Sequence, residues 1–224
     1  MVEHNKFEGI ILAAGLSTRM NDWKPKIEIG DVPILIRTIV PMVNICAKVT
    51  IVGGHNYNEL VNLVESTTIL SDSQKNKISL IENKCYINGM LSSVKCGLQN
   101  VSAQSEGIFI TLGDIPFVLF STYQKLIECF SEDNQAEVYT PVTLLEDGAI
   151  DKEPRISGGH PILIKSTISE HILQCADDEI LKDILHSFRH KFCTVTDKGI
   201  GMDIDNFSDL QAAKSYMENL KNIH

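Results

Sequence analysis

The residues best suited to bind a polyphosphate are gathered near the N-terminus. Ala13-Ala14-Gly15-Leu16-Ser17-Thr18-Arg19-Met20 closes an apolar run and is followed by Lys24-Pro25-Lys26. Small side chains let a ligand approach the main chain, whose N–H groups then serve as phosphate donors. Arg19 offers a planar fork for phosphate oxygens and Lys26 a compact point charge. The stretch contains neither GxGxxG nor GxxxxGK[ST], so it is neither a dinucleotide fingerprint nor a Walker P-loop. Further along, Ser92 and Ser93 stand near the start of a helical pattern. There, hydroxyls and free amides can meet a polar ligand or simply cap the helix. Asp114 follows an apolar run in Leu112-Gly113-Asp114-Ile115-Pro116. A carboxylate at a strand end beside a triphosphate suits a hard cation.

Short apolar runs supply the elements that would carry these groups. Gly9–Ala14, Val49–Val52, Ile78–Ile81 and Ile108–Leu112 read as buried strands, with Val138–Val142, Pro161–Ile164 and Phe192–Val195 as further candidates. Leu91, Val94 and Leu98 put one apolar face on a helix over about 89–100. Phe207, Leu210, Ala213, Met217 and Leu220 do the same near the end of the chain, with Asn206 and Asp209 as its capping pair. Ile34 to Cys46 also looks helical, and Pro41 is expected to kink or divide it. This alternation predicts a single α/β domain over 1–224, a three-layer α/β/α arrangement around a mostly parallel, Rossmann-like sheet. The loops after Ala14, Val52, Ile81 and Leu112 would then share the carboxyl-end rim where such sheets bind ligands. The polar, glycine-bearing stretch 143–160 reads as a long loop or insertion facing the substrate.

Composition narrows the classes of partner. With 43% hydrophobic residues in 224, the chain can bury a large core without disulfides or a structural metal. A net charge of −9 argues against nucleic-acid binding through bulk electrostatics, so any phosphate site must be a local concentration of donors. Cys46, Cys85, Cys96, Cys129, Cys175 and Cys193 are scattered without metal-site spacing, and read as buried small hydrophobes in a reducing compartment. The polar first eight residues carry no signal-peptide pattern, and no apolar run approaches the ~18 residues of a membrane span. A cytoplasmic location is the expectation.

LAAGLSTRM followed by PK resembles the signature of the nucleotidyltransferase superfamily, which includes sugar-phosphate nucleotidyltransferases and the molybdenum cofactor guanylyl- and cytidylyltransferases (MobA-like NTP transferase domains). Asn83 and the run Gly89-Met90-Leu91-Ser92-Ser93-Val94-Lys95-Cys96-Gly97-Leu98 are similar to N…GMSSSVRAGL of the cytidylyltransferase-like branch. LGDIP resembles LGDQP, Gly159-His160-Pro161 resembles its GHP, and Met202-Asp203-Ile204-Asp205-Asn206 resembles DIDTPEDL. The likeness runs in family order over residues 9–218.

The resemblance implies the fold of the nucleotide-diphospho-sugar transferases and roles for individual residues. Ala13, Ala14, Gly15, Ser17, Arg19 and Lys26 would wrap a triphosphate, with Arg19, Lys26 and Asp114 catalytic. Asn83, Gly89, Ser92 and Ser93 would face base and ribose. Asp114 and Asp203 would hold Mg²⁺, and His160 would lie near the acceptor. Asp205 is expected on the opposite side of the same short extended piece, as a helix cap. The implied reaction moves a nucleoside monophosphate from a triphosphate, CTP favoured, to a small phosphorylated acceptor and releases pyrophosphate. Asn21-Asp22-Trp23 departs from the family's glycine, and Asp177–Lys182 lacks the arginine of the branch's GDxGAR. The acceptor therefore stays open between molybdopterin or a related cofactor and a sugar or alditol phosphate. A nucleotide-binding regulatory module without transfer activity is the alternative of another class; retention of both Asp114 and Asp203 favours the enzyme.

Overall fold

In the computed structural model, which describes residues 6–16, 22–145 and 155–221, strand β1 (Phe7–Ala13) is buried along its whole length. Apart from Glu8 it is apolar on both faces because both faces are covered. It runs parallel to β2 (Lys48–Gly53), which pairs in turn with β3 (Ile78–Glu82), and on its other side to β4 (Gly107–Leu112). Beyond β4 the direction changes. Strands β5 (Val138–Leu145), β6 (Arg155–Gly158), β7 (Ile162–Lys165) and β8 (His190–Thr194) complete an eight-stranded sheet. There β7 is antiparallel to β4 and to β5, β6 is antiparallel to the far end of β5, and β8 is parallel to β5.

Alternation along the strands sends side chains into two layers. Phe7 and Ile11 of β1, Phe109 and Tyr139 pack against α1 (Ile34–Ile45), α2 (Tyr57–Ser66) and α5 (Phe120–Glu132). The short α3 (Asp72–Lys75), closed by a Ser71–Gln74 capping box, precedes β3. Ile10 and Leu12 face the other way, with Ile108 and Ile110, against α4 (Met90–Leu98), α6 (Ser169–Gln174) and α7 (Leu181–His186). This is the expected three-layer arrangement. A third cluster seats α8 (Phe207–Lys221) through Leu210 and Ala213 on Ile29, Ile34, Phe117 and Ile204. Among the described residues no helix is long and apolar enough to cross a membrane.

Two expectations change, and of the two outcomes expected at Pro41 one falls away. Pro41 does not divide the helix: α1 runs unbroken through it. Its neighbours Ile39, Met42 and Val43 are completely buried, so core packing on both sides holds the helix across the missing hydrogen bond. The stretch 143–160 is not loop throughout. Thr143 to Leu145 continue β5, and β6 returns antiparallel to them, while 146–154 lie outside the described residues. These strands were invisible in the sequence because this arm is only partly covered. Leu144 is exposed, so no buried apolar run marks the pairing. Of the cysteines, only Cys46, Cys129 and Cys193 are buried, and Cys85 is exposed.

Candidate active site

Because β1 to β4 are parallel, the segments leaving their carboxyl ends gather on one rim. A cleft of about 490 Å³ lies there, lined from β1 by Ala13, Ala14 and Gly15, from β4 by Leu112, Gly113 and Asp114, and by Lys24, Gly89, Ser93, Asp203 and Asp205. Lys24 Nζ lies 2.7 Å from Asp114 Oδ2 and 3.1 Å from Asp205 Oδ1. Partial burial lowers the affinity of this ammonium for its proton. Its hydrogen bonds to Asp114 and then Asp205 outweigh that and hold it above its ordinary value. Asp114 Oδ1 is buried and has no hydrogen-bond partner among the described residues. The lining also carries the side chains of Leu16, Tyr86, Ile87 and Met90, of which Leu16, Ile87 and Met90 are exposed.

The two acidic segments are joined through the backbone: Ile204 N donates to Asp114 O at 3.1 Å. Ile204 is buried, and Asp203 and Asp205 on either side of it both line the cleft. Asp205 therefore does not sit opposite Asp203, because residues two apart on extended chain share a face. Nor does it cap α8. Asn206 Oδ1 accepts from Ser208 N and Asp209 N, while Asp209 Oδ2 accepts from Asp205 N and Asn206 N.

The lysines exchange places relative to expectation. Lys26 is not in the cleft lining. It pairs with Asp22 at 2.9 Å on the surface, both side chains about half exposed. Lys24-Pro25-Lys26 is a 3-10 turn, in which residues two apart point in different directions, so only one of the two lysines can face the cleft. Ser17 and Arg19 lie outside the described residues.

Around α4 the expected residues divide between lining and support. Gly89, at φ 115°, makes the turn into the helix in a conformation that strains other residues, and it lines the cleft with Ser93. Asn83 and Ser92 do not line it. Asn83 Nδ2 donates to Ser92 Oγ and Ser93 Oγ at 2.9 and 3.0 Å, its Oδ1 accepts from Cys85 N, and Ser92 Oγ donates to Gly89 O at 2.8 Å. Buried and fully engaged, this network braces the loop that carries Tyr86 and Gly89. Tyr86 and Ile87 carry no signal in the sequence because Tyr86–Asn88 is a 3-10 turn too short to show periodicity, whereas Met90 belongs to the Gly89–Leu98 motif.

His160 is also outside the lining. Its Nδ1 is 3.4 Å from Ile110 O, and the His160–Pro161 peptide is cis. Burial pushes its imidazole below the ordinary range, against the smaller opposing pull of the Ile110 carbonyl, Asp114 and Asp203.

Residues 9–192 match the family of MobA-like NTP transferase domains. The chain is 28% identical over 205 residues to the molybdenum cofactor cytidylyltransferase of Escherichia coli (strain K12), covering 92% of this chain and 94% of that one. Its fold is similar to that of Rv0371C from Mycobacterium tuberculosis H37Rv in complex with manganese (TM-score 0.70, 18% identity, 94% and 98% of the two chains). It is also similar to that of 4-diphosphocytidyl-2C-methyl-D-erythritol synthase from Anaerococcus prevotii DSM 20548 (TM-score 0.69, 16% identity, 97% and 98%). With the match spanning the sheet, the first-strand loop and Asp114, this chain belongs to the MobA-like NTP transferase domain family.

Proposed function

We propose that the cleft transfers a nucleoside monophosphate from a nucleoside triphosphate, CTP favoured, to a small phosphorylated acceptor, with release of pyrophosphate. The observation that carries this reading is the make-up of the cleft. Lys24 bridges Asp114 and Asp205 there, and Asp203 and the side chains of Leu16, Tyr86, Ile87 and Met90 line the same cleft. A triphosphate needs the charged groups and a flat heterocyclic base the apolar ones. The name of the E. coli relative supports CTP and a molybdenum cofactor acceptor. That of the A. prevotii protein keeps an alditol phosphate in view.

The residues present fit a hard divalent cation. Asp114 Oδ1 is a buried carboxylate oxygen without a partner among the described residues, and Asp203 and Asp205 line the same cleft. Among the described residues no three His, Cys, Asp or Glu groups are placed to hold a metal by themselves. Mg²⁺ characteristically takes one or two carboxylates and completes its shell with phosphate oxygens and water. Rv0371C, which shares the fold, forms a complex with manganese. Asp114 with Asp203 would hold Mg²⁺, and Asp205 adds charge at the rim. When bound, the ion would neutralise charge developing on the phosphate oxygens.

The protein's own part is positioning and electrostatics, with no protein nucleophile. The acceptor's phosphate oxygen attacks the α-phosphorus in line, the bond to the bridging oxygen breaks, and pyrophosphate leaves. Lys24 and Arg19 stabilise the polyphosphate. The small residues Ala13, Ala14 and Gly15 let it approach the main chain. Gly89 and Ser93 face base and ribose.

A melting panel with CTP, GTP, ATP and UTP, each with Mg²⁺, tests the reading. A nucleotide at 100 times its Kd stabilises by about 2.7 kcal/mol, a rise of roughly 5–10 °C for a chain this size. The largest rise is expected with CTP, followed by pyrophosphate release when a phosphorylated acceptor is added. No shift with any of the four would end the proposal.

A further inference from the structure

Asp197 is 3% exposed and does not line the cleft, yet two of its three side-chain hydrogen bonds join the two segments that carry the acidic residues, and the third holds its own segment in a turn. Its Oδ2 accepts from Leu119 N at 2.8 Å and from Thr122 Oγ1 at 2.6 Å, at the start of α5 and five to eight residues after Asp114. Its Oδ1 accepts from Gly199 N at 2.8 Å, four residues before Asp203. The two segments are in close contact at the same place. A Cβ on Gly199 would stand 2.2 Å from Phe117 O, and one on Gly159 2.1 Å from Ile200 O. His160 N donates to Ile200 O at 2.8 Å, and past this clamp the Ile204–Asp114 backbone hydrogen bond and the Lys24 bridge between Asp114 and Asp205 tie the Asp203 segment to Asp114.

We propose that Asp197 is a positioning residue that sets the placement of Asp203 and Asp205 relative to Asp114. A buried carboxylate is costly to desolvate, and here three donors satisfy it across two separate stretches of chain. It touches no reacting group and acts through the geometry of those that do. A displacement of about 1 Å in such a constellation is enough to cost ~10²-fold in rate. The inference rests on the transfer reading above, and its test separates the two.

The test compares wild type with Asp197→Asn, Thr122→Val and Thr122→Ser. Mn²⁺ affinity is measured by electron paramagnetic resonance in the presence of CTP, and the Mg²⁺ requirement of pyrophosphate release by titration. Asp197→Asn is expected to raise the Mn²⁺ Kd and the half-saturating Mg²⁺ about tenfold, the two moving together, while CTP affinity in EDTA stays at the wild-type value. Thr122→Val, which removes one of the three hydrogen bonds, should shift both by a smaller factor. Thr122→Ser, which keeps the hydroxyl, should restore them. If Asp197→Asn does not fold, the Thr122 pair carries the same comparison. Variants that melt lower but keep wild-type Mn²⁺ affinity and Mg²⁺ requirement would overturn the role of Asp197. A wild-type protein that binds Mn²⁺ but releases no pyrophosphate would overturn the transfer reading and leave the metal comparison intact.

Discussion

The ammonium of Lys24 lies 2.7 Å from Asp114 Oδ2, although 90 positions separate the two residues in the chain. The same ammonium reaches Asp205 from a third segment. The contact brings the first-strand loop, the end of β4 and the approach to α8 to one point.

Lys24 and Lys26 should therefore respond differently to substitution. Lys24→Met removes a preorganised cation held in the cleft by Asp114 and Asp205 and is expected to lower kcat/KM by about 10²–10³-fold. Lys26→Met breaks only a surface pair with Asp22 and should leave turnover near wild type. Steady-state pyrophosphate release on both variants decides it, and equal losses would show that the cleft is misread.

Asp114→Ala removes both the partner of Lys24 and the buried oxygen suited to a cation. Turnover should fall at least ~10²-fold while the circular dichroism spectrum stays native. Normal Mg²⁺-dependent pyrophosphate release from this variant would refute the assignment.

Asn83 is buried and braces the loop at the cleft without lining it. Asn83→Ala leaves the Cys85 amide without its acceptor and Ser92 and Ser93 without their donor. A loss of about 1–3 kcal/mol is expected, read as a lower melting temperature by calorimetry. An unchanged melting temperature combined with weaker nucleotide binding would instead make Asn83 a ligand-contacting residue.

Burial holds His160 below its ordinary pKa, so the folded protein takes up that proton less readily than the unfolded chain. The stability contributed by keeping this ring neutral is complete above about pH 6.5 and is lost as pH falls through the lower, folded value. Urea midpoints between pH 7.5 and 5 should fall less steeply for His160→Gln than for wild type. Parallel slopes would remove His160 from the account.

The positions of the parallel strands, the α4 and α8 helices, and Asn206 as a cap were set by local rules. Apolar runs, helical spacing and capping residues act over a few neighbours, so they are readable from sequence. The order of motifs along the chain likewise carries the resemblance to the family that residues 9–192 match. What the sequence did not determine was which of two nearby lysines faces the cleft, that Asp205 joins Asp203 there, and that Asn83 and Ser92 support rather than line it. Each of these depends on the direction of a side chain at the meeting of segments remote in sequence. Lys24 is selected over Lys26 by the 3-10 turn and by carboxylates arriving from two other segments. Asp205 is turned inward because Ile204 is anchored in the α8 cluster and hydrogen-bonded to Asp114. Long-range packing makes those choices, and no local pattern encodes them.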